Sequence, residues 1–488
     1  MNLLESYFSP FRENIIGIDQ TFASPYGVRR IVYADWTASG RLYAPIEQKI
    51  ALDFGPFVGN THSESSITGT SMTKAYHFAH DMIKKHVHAN ANDVIIHAGF
   101  GMTAAVNKFQ RILGLKVPES CYPLDCQKNS QRPVVFITHM EHHSNQTSWL
   151  ATIADVEVIQ ADKNGLVDFD DLEARLEKHK DRVFKIGSFT ACSNVTGIRP
   201  DFYRLARIMH EHGGLCFIDF AASAPYVEID MHPEDPLEKL DAIFFSPHKF
   251  LGGPGSSGVL IFDSNLYHNK IPDQPGGGTV NWTNPWGRFR FSQDIEIRED
   301  GGTPGFLQAI KAALAIRLKE NMGVDKMLKR EEEMVRIVFT ELNKIPGLHI
   351  LAPRIQDRLG IFSFYVDRIH YNLIVKLLND RFGVQVRGGC SCAGTYGHYL
   401  LHVTPQKSRH ITDKIDHGDL SEKPGWVRMS IHPTMTNDEV YYITDAIKQI
   451  VGNAEKWEKD YTYSSKTNEF THIHQHQDHD VIRKWFQI

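Results

Sequence analysis

The chain has 488 residues, 42% of them hydrophobic and 23% charged, with a formal net charge of −5 at pH 7. That balance suits a globular protein with one large domain and a smaller one, and it excludes the basic surface of a nucleic-acid binder. No apolar run approaches a membrane span, the start MNLLESYFSPFRENIIG lacks a cationic segment followed by an apolar one, and six scattered cysteines make no disulfide scaffold, so a reducing, cytoplasmic setting is expected.

In chain order, residues 1–30 read as an arm that turns around Pro25-Tyr26-Gly27. A short strand over Ile31–Tyr33 leads into a polar stretch, Asp35 to Gly40. Residues 60–71 form a Ser/Thr/Gly loop, after which Met72, Ala75, Ala79, Ile83 and His86 keep helical spacing. DVIIHAGFGMTAAVNKFQRIL is a strand over Val94–Ile96, a glycine turn from Gly99 to Thr103, and a helix with Val106, Phe109 and Ile112 on its inner face. Such a turn presents backbone N–H groups at a positive helix end, which suits a phosphate; a plain crossover turn has the same look.

Val134–Thr138 is a strand that ends in His139, Glu141, His142 and His143. Adjacent histidines point apart and lack a partner cluster, so a histidine over a cofactor ring is a better reading than a metal site. VFKIGSFTACSNVTG is a further strand that ends at Ser193-Asn194, and GLCFIDFAASAPY is a buried strand that ends at Asp219. A carboxylate there needs a partner, and a protonated pyridine nitrogen is one. Two apolar runs, Ala242–Phe245 and Val259–Phe262, flank Ser246-Pro247-His248-Lys249 and a glycine-rich return. A lysine leaving a buried strand in that company is not placed for solvation. The alternation of strands and helices predicts a mostly parallel sheet, whose functional groups gather at the carboxyl ends of strands. Gly101, His142, Asn194, Asp219 and Lys249 all fall at such ends.

Beyond residue 261, PGGGTVNW and REDGGTPG read as glycine-rich loops. Helices follow from Phe306 to Asn321 and through Met327, Met334, Val338 and Leu342, the second marking a hinge into a smaller domain. That domain is expected to hold strands at His349–Leu351, Ile361–Val366, Val384–Arg387 and Val427–Ile431. It also has a helix at Leu373–Phe382, an irregular stretch from Gly388 to Gly425, and a last helix opened by a capping box from Thr436 to Glu439. The division expected is an arm (1–30), a large domain (31–320), a small domain (321–454) and a polar extension (455–488). The extension, with its HIHQHQDHD run, reads as a solvated tail or docking segment rather than a metal site.

Taken in this order over about residues 30–450, SPHK and its glycines, MEHHSN, SNVTG, the Asp219 strand, GGTPG and VRGGCSCAG resemble the class V aminotransferase family. These are fold-type I enzymes that use pyridoxal 5′-phosphate (PLP), and the nearest branch in appearance is the cysteine desulfurases and selenocysteine lyases. The resemblance implies an α/β fold: a large domain with a mostly parallel seven-stranded sheet between helices, and a smaller α+β C-terminal domain. It makes Lys249 the Schiff-base lysine, Asp219 the partner of the pyridine nitrogen, His142 the residue on the ring and Asn194 a neighbour of the ring hydroxyl. Met102, Thr103, Ser246 and His248 become the phosphate cradle. Thr303 would reach the phosphate of a neighbouring subunit, which implies a homodimer with shared sites. Arg428 would hold the substrate α-carboxylate with Arg387 beside it, and Cys392 would be the nucleophile that takes sulfur from cysteine, leaving alanine and passing the sulfur to an acceptor protein. No metal ion is implied.

Several positions depart from the family's pattern. Ala222 stands where a glutamine is usual, with Ser223 as the nearest substitute, and the start of the fold reads Asp35-Trp36-Thr37-Ala38. An insertion at about 395–423 is expected over the mouth of the site, and Arg387 and His398 are expected near Cys392, where positive charge favours thiolate. Two other readings remain: another PLP-dependent reaction such as amino transfer with Cys392 a bystander, and a binding module that keeps the fold without catalysis.

Overall fold

The computed structural model describes residues 3–61, 63–121, 132–474 and 479–487. Seven strands form the central sheet: β1 (Asp93–Ala98), β2 (Val134–Thr138), β3 (Asp155–Ile159), β4 (Lys185–Thr190), β5 (Leu215–Asp219), β6 (Ala242–Phe245) and β7 (Gly258–Asp263). Their order across the sheet is β1-β7-β6-β5-β4-β2-β3. Only β7 runs against its neighbours, β1 and β6; the remaining pairs are parallel. Every residue of β2, β4 and β6 is buried, as expected of strands covered by helices on both faces. The expected seven-stranded, mostly parallel α/β sheet is therefore present, with its site-bearing turns at one edge.

Helix α1 (Met102–Ile112) follows β1, and α2 (His143–Leu150) follows β2. Two long helices, α3 (Phe306–Met322) and α4 (Val324–Leu342), lead to the second sheet. That sheet has β8 (Leu348–Ile350), β9 (Ile361–Val366), β10 (Arg387–Gly389) and β11 (Trp426–Ser430), in the order β8-β9-β11-β10, all antiparallel. Helix α5 (Tyr371–Phe382) packs on it, and α6 (Gly394–Leu400), α7 (Pro405–Asp416) and α8 (Asn437–Trp457) follow. The capping box is formed: Thr436 accepts from the Glu439 N–H, and the Glu439 carboxylate accepts from the Thr436 N–H. Among the described residues no helix is long and apolar enough to cross a membrane.

The structure departs from the sequence expectation in four places. Val384–Arg387 is two strands: Val384–Gln385 pairs in parallel with Val32–Tyr33, and the chain then turns into β10. The start of the chain is thereby stitched to the small sheet. The glycine-rich stretch after 274 contains a hairpin, Val280–Thr283 with Phe289–Phe291. The stretch read as irregular holds α6 and α7. The segment after 455 is folded through His472: a hairpin of Tyr461–Ser464 with Glu469–His472 buries Tyr461 and Phe470, and Asn468 donates to the Tyr371 hydroxyl (2.6 Å). Of the histidine-rich run, residues 475–478 lie outside the described residues.

Candidate active site

A cavity of about 680 Å³ opens at the carboxyl ends of β1, β2, β4, β5 and β6, where the small sheet closes over them. Its walls include Met102, Thr103, His142, Asn194, Asp219, Ser246, His248, Lys249, Arg387, Cys392 and Arg428. These are all of the site residues expected from sequence except Thr303.

One wall is the start of α1. The Met102 N–H donates to Ser246 Oγ (2.8 Å), and Thr103 shares a hydroxyl hydrogen bond with Ser144 (2.6 Å). A Cβ on Gly101 would stand 3.0 Å from Ser246 Oγ and 3.4 Å from His248 Nε2, so the absence of a side chain there keeps the recess open. Helix N-terminus, hydroxyls and imidazole together make an anion cradle. His248 is held neutral, its pKa lowered to about 4 by burial and then by the charge of Lys249.

Lys249 leaves β6 on a one-turn helix, Pro247–Lys249. The turn is packed backbone to backbone: a Cβ on Gly253 would lie 1.8 Å from the Pro247 carbonyl oxygen, and one on Gly40 would lie 1.9 Å from that of Phe250. Burial lowers the Lys249 pKa to about 8, with Asp219 opposing that fall and Arg428 and Arg387 adding to it. Asp219, at the last position of β5, is 3% exposed and accepts from the Ala221 N–H (2.8 Å). Burial raises its pKa to about 6, against the pull of that hydrogen bond and of Lys249.

His142 caps α2. Its Nδ1 accepts from the Ser144 N–H (3.1 Å), which places the ring proton on Nε2. Burial, then Lys249, lowers its pKa to about 3, so the ring is neutral. Asn194 donates from Nδ2 to the Ser391 carbonyl (2.7 Å), while its Oδ1 is buried without a partner. Arg428, 3% exposed on β11, donates to the Asn194 carbonyl (3.3 Å) and to Asp35 Oδ1 (2.8 Å); its Nε is buried without a partner. Arg387 is the cross-strand neighbour of Arg428 and lies 3.3 Å from Asp35 Oδ2.

Cys392 sits in a loop held from the large domain. The His143 N–H donates to its carbonyl (2.7 Å), the Gly394 N–H donates to His143 Nε2 (2.9 Å), and the Trp426 indole donates to Ser391 Oγ (3.2 Å). Ser391 and Cys392 both have left-handed backbone, φ 52° and 56°.

Some expectations are corrected here. The His398 ring is engaged elsewhere than at the cavity: its Nδ1 donates to the Gly394 carbonyl (2.8 Å), its Nε2 accepts from Ser408 (2.8 Å), and it does not line the cavity. No residue of the 395–423 insertion lines the cavity. The insertion packs to one side, with Thr395 hydrogen-bonded to Gln146 (2.7 Å) and Tyr396 against the ring of His139. Ser223 is buried and is not among the residues that line the cavity, where Ala222 forms the wall. Thr303 lies outside the cavity of its own chain and donates to Asn60 Oδ1 (3.2 Å). Asp35 and Glu141 carry more than the sequence indicated. Glu141 is buried and binds the Thr138 hydroxyl (2.6 Å), the Thr190 N–H (2.9 Å) and Asn145 (2.8 Å), tying the end of β2 to the end of β4. Its place in a cluster of histidines was the only signal. Among the described residues no group of three or more His, Cys, Asp or Glu is arranged to hold a metal ion.

A parallel α/β sheet with a half-buried lysine facing a buried aspartate, closed by a second small sheet, is the architecture of fold-type I enzymes. The chain belongs to the class-V aminotransferase family, whose profile matches residues 32–443. Curated relatives include a probable cysteine desulfurase of Halalkalibacterium halodurans, 28% identical over 370 residues (74% of this chain, 84% of the relative). Another is a probable cysteine desulfurase of Staphylococcus epidermidis, 29% identical over 371 residues (75% and 84%). Among solved structures, the apo cysteine desulfurase of Thermococcus onnurineus superposes with a TM-score of 0.72 at 21% identity, covering 91% of this chain and 98% of that one. The cysteine desulfurase CsdA of Escherichia coli superposes with a TM-score of 0.70 at 22% identity, with the same coverage.

Proposed function

We propose that the protein is a PLP-dependent C–S lyase of the cysteine desulfurase type. The observation that carries this reading is that Lys249, Asp219, His142, Arg428 and Cys392, from five separate segments, line one cavity. The named relatives support it.

The residues present fit PLP. The recess at Gly101, with the α1 terminus, Thr103, Ser246 and His248, suits its phosphate; Asp219 suits its pyridine nitrogen; the unpartnered Oδ1 of Asn194 suits its ring hydroxyl. His142 would cover the ring. When bound, PLP supplies a sink for the electron pair left at the substrate α-carbon. Arg428 holds the α-carboxylate of the amino acid. Lys249, a base near pH 8, takes the α-proton at Nζ. The Cys392 thiolate attacks the substrate sulfur: an S–S bond forms, the Cβ–S bond breaks, and its electron pair stays on carbon, which takes a proton to become the methyl of alanine, while the Lys249 Nζ returns a proton to the α-carbon. The extra sulfur remains on Cys392 until a thiol or an acceptor protein removes it. Cys392 is exposed, as such a hand-over requires, and Cys192, Cys216, Cys390 and Cys392 are all free thiols, which suits a reducing cytoplasm.

The position of Thr303, outside its own cavity, supports a homodimer in which this loop serves the other subunit. The exposed Trp282, Trp286 and Phe289 of the neighbouring hairpin support it further. Sedimentation of an active monomer would refute the shared site. For the reaction, PLP-loaded protein is given L-cysteine and a reductant, with sulfide and alanine assayed together. Equal yields that vanish in Cys392→Ala are expected. Turnover of the amino acid without sulfide, unaffected by Cys392→Ala, would instead favour an amino-transfer reaction.

A further inference from the structure

We propose that Asp35 is a specificity-determining residue: it occupies Arg387 and one face of Arg428, so that the cavity offers one carboxylate site and rejects amino acids with a second anionic group. This rests on the reading of Arg428 as the holder of the substrate carboxylate.

Asp35 stands between two arginines that both line the cavity. Oδ1 accepts from an Arg428 Nη at 2.8 Å, and Oδ2 lies 3.3 Å from Arg387 Nε. The arginines are directly opposed across β10 and β11, so their guanidinium groups flank a single carboxylate. Arg428 is nearly fully buried and Asp35 side-chain exposure is 13%, so that pairing is little screened by solvent, whereas Arg387 is half exposed and its pairing is partly screened. Two positive charges and one negative leave one positive charge at this end of the cavity. The histidines nearby, His142 and His248, are neutral and add none. The free hydrogen-bonding capacity agrees: the unpartnered buried Nε of Arg428 is available to an incoming oxygen.

Backbone bonds fix Asp35 where it is. It lies in a bridge with Ser430, the Ser430 N–H donates to the Ala34 carbonyl (2.7 Å), the Thr37 N–H donates to Ser430 Oγ (2.9 Å), and the Tyr33 hydroxyl donates to the Asp35 carbonyl (3.1 Å). The main chain that carries the carboxylate is thus part of the frame that joins the start of the chain to the small sheet, and the carboxylate itself is held by the two arginines. A substrate with one carboxylate meets one net positive charge. A substrate with a second anionic group finds the Nε of Arg387 turned to Asp35 and a negative charge beside it. Discrimination then comes from what opposes the wrong ligand as well as what attracts the right one.

The test is equilibrium binding of L-alanine and L-aspartate to PLP-loaded protein by titration calorimetry, which needs no sulfur chemistry. The proteins are wild type, Asp35→Asn, Asp35→Glu and the double variant Asp35→Asn/Arg387→Ala. The ratio of aspartate affinity to alanine affinity is expected to rise at least tenfold in Asp35→Asn. It should stay near the wild-type value in Asp35→Glu and fall back in the double variant, where the released arginine is gone. A wild type that binds alanine, with a ratio unmoved in Asp35→Asn, overturns the role of Asp35 and leaves the proposed reaction standing. A ratio that rises in Asp35→Asn and stays high in the double variant overturns that role equally. A folded wild type that binds neither amino acid overturns the reading of Arg428, and this inference with it.

Discussion

Removing the Asp219 charge should lower the pKa of Lys249, and the effect can be read in the cofactor-free protein. Burial brings the amine from 10.5 to about 8, and Asp219 is the main group holding it from falling further. Near pH 7.5 a lysine with a pKa of about 8 is neutral in roughly a quarter of molecules, against about one in a thousand for an ordinary lysine. The nucleophilic form is therefore enriched about two-hundredfold. Asp219→Asn deletes the attraction that favours the protonated amine, so the midpoint moves below that of the wild type. The assay is trace acetylation across about pH 6–11 with the Lys249 peptide quantified by mass spectrometry. A wild-type midpoint near 10.5, or an upward shift in Asp219→Asn, would refute the reasoning.

The same displacement sets a stability dependence. The folded pKa lies below the unfolded one, so the cost of burying the ammonium is fully present below about pH 8. It declines as pH rises from 8 towards 10.5. At roughly 1.4 kcal/mol per tenfold, the ceiling is about 3 kcal/mol, and water reaching the side chain through the open cavity reduces it. Lys249→Met should therefore stabilise the cofactor-free chain near pH 7, with the gain shrinking towards pH 10.5.

Gly253→Ala brings a methyl group against the Pro247 carbonyl, so the Lys249 turn must shift. A loss of roughly 1–3 kcal/mol in thermal or denaturant unfolding is expected, together with weakened PLP retention. Arg428→Lys keeps a positive charge but loses the guanidinium fork; KM for the amino acid should rise roughly 10–100-fold while kcat changes less, in steady-state assays. Truncation after Trp457 removes the buried Tyr461 and Phe470 and the Asn468 bond to Tyr371. A fall in melting temperature is expected, consistent with roughly 3–5 kcal/mol for a lost core aromatic, whereas truncation after His474 should leave it near the wild-type value.

What the sequence made legible was what local pattern encodes. The strands of the large sheet are continuous apolar runs because both faces are covered, and the polar residue that ends each run marks the site edge. Asp219 and Lys249 were visible for that reason. Asp35 was not, because its partner Arg428 lies 393 residues away and its pairing exists only once the start of the chain joins the small sheet. The hairpin at Val280–Thr283 was hidden because its side chains are largely exposed and carry no burial alternation. The hairpin after 460 was hidden because two aromatic residues in a polar segment make no periodic signal, although they bury well against α5. Insertion 395–423 gave its length but not its direction, which is set by the contacts of Thr395 and Tyr396 with the β2–α2 region.

The Cys392 loop shows how these long-range contacts act on chemistry. Ser391 and Cys392 are non-glycine residues in left-handed backbone, a conformation that costs each roughly 1–2 kcal/mol. Locally, one turn bond runs from the Ala393 N–H to the Cys390 carbonyl (3.0 Å). Further support comes from three bonds made by other parts of the fold: the His143 N–H to the Cys392 carbonyl, Asn194 to the Ser391 carbonyl, and Trp426 to the Ser391 hydroxyl. His143 follows His142, and both His142 and Asn194 line the cavity. The residues that line the cavity therefore also fix the backbone of the thiol. Placement of the Cys392 thiol and the shape of the cavity are coupled through shared residues, so substitutions at Asn194 should disturb both together.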